Sequence, residues 1–166
     1  RNDFFMDLNG KDCENILRGL YSLKNKQQAD TFTRVYHNSP NCYSEQLFKG
    51  VLDDRSRGVF DGRIYVDQKA QKTDAVQKNP SLLLSDNAVA YAKPQLEIYA
   101  DDVKCTHAAT TGQLDDEQIY YLRSRGISDA DAKAMLTFGF AGEIVEFIEL
   151  EEVREKLAAE LLAAMS

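Results

Sequence analysis

Short apolar segments separated by polar or glycine-containing turns make up the chain from about residue 4 to residue 112. They centre near Val35, Val51, Ile64, Leu82 and Leu96, at spacings of 13 to 18 residues. Short apolar runs bounded by turn signals are typical of strands, so this part of the chain is predicted to be all β. The spacing is too irregular for a strict repeat and is compatible with stacked coils or with the strands of a sandwich.

Turn-forming residue pairs lie between these segments, and each pair tolerates tight backbone geometry. Segments that follow one another are therefore expected to pair. Residues 58–66 have apolar residues on both sides of a turn pair, which predicts a hairpin turn or a bend between coils. The polar run 67–79 is predicted to contain a surface loop. The turn pairs are Asn9-Gly10, Ser39-Pro40, Asp53-Asp54, Asp61-Gly62 and Asn79-Pro80.

The stretch 96–112 predicts two short strands in which apolar and polar side chains alternate. A period of two places Cys105 and His107 on one side of the second strand, roughly 6 to 7 Å apart at Cα. A thiolate and an imidazole at that distance can converge on a soft or borderline metal ion. The alternative is ordinary structure, with Cys105 a small core residue and His107 a hydrogen-bonded edge residue.

After Gly112 the apolar period becomes helical. Asp115 with Gln118 three positions later predicts a helix start, and Gly126 predicts its end. Ser128 with Asp131 predicts a second start, and the apolar stripe that follows predicts a helix with a break near Gly139 or Gly142. From Glu151 onward an apolar residue every fourth position, at Val153, Leu157 and Leu161, predicts a third amphipathic helix. The chain is thus divided into a β region, 1–112, and a helical region, 113–166.

Composition excludes several classes of protein. The net charge is −7, from 20 basic and 27 acidic side chains, whereas nucleic-acid-binding surfaces are basic. No apolar run is long enough to span a membrane. Three cysteines without a C-x-x-C pair favour a reducing compartment, and the cytoplasm is expected. The chain opens on Arg1 in what looks like folded sequence, so a fragment of a longer protein is expected.

Motifs for nucleotide binding and hydrolysis are absent from the sequence. There is neither a G-x-x-x-x-G-K-[ST] nor a G-x-G-x-x-G phosphate-binding loop, so ATP chemistry would need a partner. There is also no G-x-S-x-G elbow, and His37 and His107 are the only histidines available as a base. His37 and Cys42 flank the Ser39-Pro40 turn and are a further candidate metal pair, although a turn histidine bonded to backbone is the commoner arrangement. Arg123 and Arg125 lie where cations complement a helix dipole.

Ordered blocks of sequence resemble the SufB/SufD family of iron–sulfur cluster assembly proteins. The resemblance is carried by YADDVKCTHAATTGQLDDEQIYYLRSRGIS, and it extends back through KPQLEIYA, SRGVFDGRIYV and RVYHNSPNCYSEQLFKGVL. The pattern VKCTHAAT is similar to the SufD branch of that family. The resemblance covers almost the whole chain.

Membership would imply a right-handed parallel β-helix followed by a small helical domain. It would also imply a non-enzymatic scaffold that pairs with SufB and binds the separate ATPase SufC through its helical region, so that ATP would act only through SufC. The family's interfacial histidine matches His107, with Cys105 beside it, so these two residues are the expected ligands of a transient iron–sulfur cluster or iron. Arg123, Arg125, Phe138 and Phe140 are the candidates for contacting the ATPase.

Two other functions remain open. One is a β-helix enzyme acting on carbohydrate or acyl substrates, although the absence of tryptophan is unfavourable to sugar stacking. The other is a purely structural partner of SufB that never contacts iron. An isolated subunit is also expected to be able to form a homodimer. Nucleic acid and membrane are not expected as partners.

Overall fold

The fold is a parallel β-helix followed by three helices, in a computed structural model that describes residues 1–165, with side chains for 1–163. Two four-stranded sheets form the β-helix, in the orders β1-β3-β5-β7 and β2-β4-β6-β8. The prediction of a mainly β chain with a helical C-terminal region is confirmed. The strands are β1 (Asn2–Leu8), β2 (Glu14–Leu23), β3 (Gln28–His37), β4 (Tyr43–Leu52), β5 (Arg57–Val66), β6 (Asp74–Leu83), β7 (Val89–Ile98) and β8 (Lys104–Gly112).

All the pairings between these strands are parallel and skip one strand along the chain. Parallel neighbours need a crossover between them, and here the crossover is a strand of the opposite sheet. One coil therefore takes about 30 residues. The expectation that successive apolar segments pair is wrong, because each segment is half a coil. Segments two apart stack instead, as Val35, Ile64 and Leu96 do in register.

Five of the corners between strands share one backbone conformation. At each of five corners a single non-glycine residue adopts a positive φ between 54° and 60°, which asparagine and aspartate tolerate best. Three of the predicted turn pairs, Asn9-Gly10, Ser39-Pro40 and Asp53-Asp54, lie at such corners and are confirmed. Stacked corners also bond to each other, so a turn in one coil positions the next. The positive-φ residues are Asp12, Asn25, Asn41, Asp54 and Lys72.

The other two turn pairs lie inside strands, so those predictions are wrong. Asp61-Gly62 is in the middle of β5, which runs without a hairpin or bend. A Cβ at Gly62 would come within 2.4 Å of the Gln77 amide nitrogen and 2.7 Å of the Phe60 ring, so this glycine serves close packing. Asn79-Pro80 lies in β6, where the register between β4 and β6 is interrupted. The surface loop predicted in 67–79 ends before β6 begins at Asp74.

The helices are α1 (Asp116–Ser124), α2 (Asp129–Glu146) and α3 (Glu151–Met165). Asp115 caps α1 by accepting the Glu117 amide at 2.8 Å, and Ser128 caps α2 by accepting the Asp131 amide at 3.1 Å, as predicted. Gly126, with φ of 86°, follows the end of α1. The break predicted near Gly139 or Gly142 is wrong, because α2 is continuous. Within the described residues no helix combines the length and apolarity needed to cross a membrane.

Helix α2 packs against the β-helix and α3 packs on α2, and one apolar cluster joins all three. Its buried members are Val51 of β4, Ala141 and Val145 of α2, and Leu161 of α3. The predicted stripe on α3 is only partly correct, since Leu161 is buried whereas Val153 and Leu157 are 42% and 38% exposed. The apolar surface of α3 therefore extends beyond what the β-helix covers.

Candidate functional site

Strand β8 forms one open edge of the β-helix. It ends its sheet, and among the described strands only β6 pairs with it. Eight of its nine residues are exposed, the exception being Cys105, because no further coil of this chain stacks on it. A parallel edge of this length presents unpaired backbone donors and acceptors to another strand.

His107 stands at this edge, on the side of β8 that faces the interior of the helix. Its register partner on β6 is Gln77, which is completely buried. In the coil below, such a position is covered, but His107 has no coil above it and is exposed. Among the described residues the imidazole has no hydrogen-bond partner, so both ring nitrogens are available to a ligand or a partner.

Cys105 lies on the same side of β8 as His107, as the alternating pattern predicts. It is half-buried and packs against the core cluster that contains Ile64, Val66 and Ala75. Burial, with the negative charge of Asp74 adding to it, raises the pKa of the Cys105 thiol. The thiol form is therefore favoured at neutral pH, and a metal at this position would have to displace the proton.

Two buried glutamines lie in register with His107, in the coils beneath it. Gln46 and Gln77 are in register below it, both completely buried, and the Gln77 amide donates to the Gln46 carbonyl oxygen at 3.3 Å. The Gln77 carbonyl oxygen and the Gln46 amide nitrogen have no hydrogen-bond partner among the residues that the structure describes. A polar column thus runs through the coils to the exposed imidazole. The sequence alone did not predict this column. The signal for it was that Gln46, Gln77 and His107 recur at intervals of one coil.

His37 lies in a different environment from the one predicted. It is the last residue of β3 and is completely buried, so it is not a turn histidine bonded to backbone. Its Nε2 is 2.9 Å from the Ser44 hydroxyl, and its Nδ1 has no hydrogen-bond partner in the described part of the chain. Burial lowers the pKa of His37 to about 4, so the ring is neutral at physiological pH.

Cys42 is also buried, but its thiol is directed at the coil corner. It donates to the carbonyl oxygens of Gly10, at 3.3 Å, and Pro40, at 3.6 Å, and it packs with Leu8 and Val35. His37 and Cys42 are not hydrogen-bonded to each other: His37 bonds with Ser44, and the Cys42 thiol bonds with the corner carbonyls. Across the described residues, no group of three or more histidine, cysteine or acidic side chains is arranged to hold a metal ion.

The candidate ATPase-contact residues fall into two pairs. Arg123 forms a salt bridge to Asp129 at 3.4 Å, and the Arg125 guanidinium lies 4.7 Å from the centre of the Tyr121 ring, both at the exposed end of α1. Phe138 and Phe140 instead pack against the cluster that joins the helices to the β-helix. The arginines have contacts within the chain but are exposed to a partner, whereas the two phenylalanines hold α2 in place.

Comparison with known protein families identifies the family of this chain. Residues 1–140 match the family model described as SUF system FeS cluster assembly, SufBD core domain. The chain belongs to the SufBD family. Family membership accounts for the parallel β-helix, and it confirms the relationship that the sequence blocks indicated.

Named SufBD relatives are similar to the chain over most of its length. The iron–sulfur cluster assembly protein SufD of Escherichia coli is 43% identical over 161 residues, covering 97% of this chain and 38% of the relative. A SufBD family protein of Synechocystis sp. is 42% identical over 138 residues, covering 83% and 30%. One of Mycobacterium bovis is 39% identical over 158 residues, covering 90% and 39%. The chain spans less than half the length of each of these SufBD proteins.

Proposed function

We propose that this chain is part of a non-enzymatic scaffold subunit that pairs with SufB, docks the ATPase SufC and contributes a ligand to a nascent iron–sulfur cluster. The observation that carries the proposal is the exposed imidazole of His107 beside the unpaired edge of β8, in a member of the SufBD family. The cluster is cargo in this scheme and does not reside on the chain.

The β8 edge supports pairing with SufB. A strand of the partner can bond to the free backbone groups of β8 and cover its exposed interior-facing side chains. His107 offers one ligand, and the described residues around it do not complete a metal site. The remaining ligands would therefore come from SufB, so the cluster would form at the joint between the two subunits.

Cys105 assists in this scheme as a second donor. Its sulfur lies on the same side of β8 as His107, and thiolate is the form that iron prefers. Because burial favours the protonated thiol, iron binding at Cys105 releases a proton. Assembly that depends on both residues weakens as the pH falls.

The helical region supports docking of SufC. Apolar side chains recur on one face from the start of α3, at Leu150, Val153 and Leu157, which are 70%, 42% and 38% exposed. On α1, Tyr120 and Tyr121 are 75% and 54% exposed next to Arg123. Aromatic, aliphatic and arginine side chains are those enriched at protein interfaces. Conformational changes of the ATPase during its nucleotide cycle would be transmitted to the β-helix through α2, which packs on β4.

Co-purification of this chain with tagged SufB and SufC tests both contacts. We expect Val153→Glu combined with Leu157→Glu to lose SufC while keeping SufB, because two carboxylates would be buried without partners. Ala159→Glu adds a charge to another exposed face of α3 and should keep both partners. Retention of SufC by the double variant would refute docking through α3, and failure of the wild-type chain to retain SufB would refute the pairing.

A further inference from the structure

Two cysteine thiols lie side by side at one corner of the β-helix. Cys13 precedes β2 and Cys42 precedes β4, and the Tyr43 amide donates to the Cys13 carbonyl at 2.9 Å, so the two cysteines occupy the same level of neighbouring strands. Both thiols donate to the carbonyl oxygen of Gly10, each at 3.3 Å. The two sulfur atoms therefore share a single acceptor.

The two thiols differ in access to solvent. Cys42 is 1% exposed, whereas Cys13 is half-buried and open to small solutes. Burial raises the pKa of the Cys42 thiol, and the neighbouring Cys13 thiol raises it further. Cys13 is thus the thiol that a small oxidant reaches first, and Cys42 is held next to it.

The next coil shows that sulfur is not needed at this corner. Thr73 follows Cys42 in the same column, and its hydroxyl donates to the Ala70 carbonyl oxygen at 2.8 Å. The Cys13 thiol makes the equivalent bond to the residue three positions before it. A hydroxyl can therefore make the hydrogen bond that the corner carbonyl needs. The fold does not require thiols at this position, and a pair of thiols makes redox chemistry possible there.

We propose that Cys13 and Cys42 form a dithiol–disulfide site that hydrogen peroxide oxidises. The Cys13 thiolate attacks one peroxide oxygen, the O–O bond breaks, and water leaves after protonation, which yields a sulfenic acid. The Cys42 sulfur then attacks the Cys13 sulfur, the S–O bond breaks, and a second water leaves. Two thiols and one peroxide become one disulfide and two waters, with two electrons passing from sulfur to peroxide. An external thiol reverses the reaction by exchange.

The spacing of the strands suits this bond. Neighbouring strands lie about 4.8 Å apart, and disulfides join Cα atoms separated by about 4.4 to 6.8 Å. Rotation of the two side chains away from the Gly10 oxygen brings the sulfurs together without a change of backbone. The bond would tie the first two coils to each other. In a reducing compartment the site rests as the dithiol, and peroxide converts it.

Cys105 provides an internal control. Its register partner is Ala75, and β8 has no strand on its other side, so no thiol of the described chain neighbours it. The same peroxide should therefore leave Cys105 outside any disulfide within the chain.

Peptide mapping of the purified chain tests the site. The chain is treated with hydrogen peroxide, blocked with iodoacetamide in guanidinium chloride, and digested without reductant. We expect a peptide that links Cys13 to Cys42, a loss of two titratable thiols per chain that dithiothreitol restores, and an alkylated Cys105. Recovery of Cys13 and Cys42 as separate alkylated or over-oxidised peptides would overturn the proposal.

Serine variants sharpen the test, because Thr73 shows that a hydroxyl fits the corner. In Cys13→Ser, peroxide should leave Cys42 alkylatable, and the midpoint of thermal unfolding should not show the rise on oxidation that we expect for the wild type. Equal rises in Cys13→Ser and wild type would contradict a bond between these two residues. The wild-type mapping does not depend on whether this variant folds.

Discussion

His37 and His107 are the same residue type in opposite surroundings. His37 is sealed at the end of β3 with one ring nitrogen bonded to Ser44, and His107 is exposed at the end of the β-helix. A buried neutral imidazole contributes to the stability of the core, whereas an exposed one can bind a ligand or a partner. Sequence alone treated both as metal candidates, because burial depends on which coil covers a residue.

The buried ring of His37 makes stability depend on pH. Its pKa is about 4 in the folded chain against 6.5 for an unperturbed histidine, so between these values the unfolded chain binds a proton that the folded chain does not. The free energy of unfolding should therefore be fully retained above pH 6.5 and should fall by about 3 kcal/mol as the pH drops to 4.

Urea unfolding at a series of pH values measures this effect. His37→Gln should lose this part of the pH dependence, and His107→Gln, at the exposed position, should keep it. Identical pH profiles for wild type and His37→Gln would show that the buried ring is not responsible.

Gly62 is needed for space and not for a turn. Its hypothetical Cβ would overlap the Gln77 amide and the Phe60 ring, both in the core. We expect Gly62→Ala to lower the free energy of unfolding by about 1 to 3 kcal/mol, because neither neighbour can move without disturbing the packing. Gly112→Ala, where the added atom meets nothing within 4 Å, is the matched control. Equal unfolding free energies for the two variants in urea would refute this account.

At the scale of elements, local signals predicted the helices better than the strand pairing. The caps at Asp115 and Ser128 and the glycine at 126 act within one turn of backbone, so they can be predicted from neighbouring residues. Strand partners two segments apart depend on the coil length, which the irregular spacing concealed. The family resemblance supplied that coil architecture, and the polar column under His107 followed only from the register.

One buried lysine joins the two kinds of element. Lys49 of β4 is 6% exposed, and its ammonium donates to the Phe140 carbonyl oxygen at 2.8 Å and to the Glu143 carboxylate, with the Phe140 ring centre 4.5 Å away. A backbone carbonyl and a side-chain carboxylate of α2 thus bind the same ammonium group. Since Glu143 is half-exposed, the pair is not sealed from water.

Lys49→Met should loosen α2 from the β-helix. We expect a loss of about 1 to 3 kcal/mol in unfolding free energy, because the Phe140 carbonyl loses its buried donor, and faster amide hydrogen exchange along α2. Lys133→Met, which removes only an exposed pair with Asp129, should cost less than about 0.5 kcal/mol. Exchange in α2 that is unchanged by Lys49→Met would contradict the role of this contact.

At the scale of the whole molecule, the proposed function assigns two of the described surfaces to partners. The open edge of β8 carries His107, and the helical region carries the exposed apolar residues of α3. Both regions were anticipated from the sequence, β8 from its alternation and the helices from their period. What the sequence did not reveal is that Phe138 and Phe140 join the helices to the β-helix, since packing partners far along the chain leave no local pattern.

The most direct test measures iron and acid-labile sulfide on the complex reconstituted from this chain, SufB and SufC. His107→Ala is compared with Thr106→Ala, the exposed neighbour on the other side of β8, after gel filtration has shown that both variants assemble. We predict that His107→Ala binds iron at least about tenfold more weakly than wild type, because a ligand is lost, and that Thr106→Ala matches wild type. Cluster content in His107→Ala equal to that of wild type would contradict the account and would leave a purely structural partner of SufB.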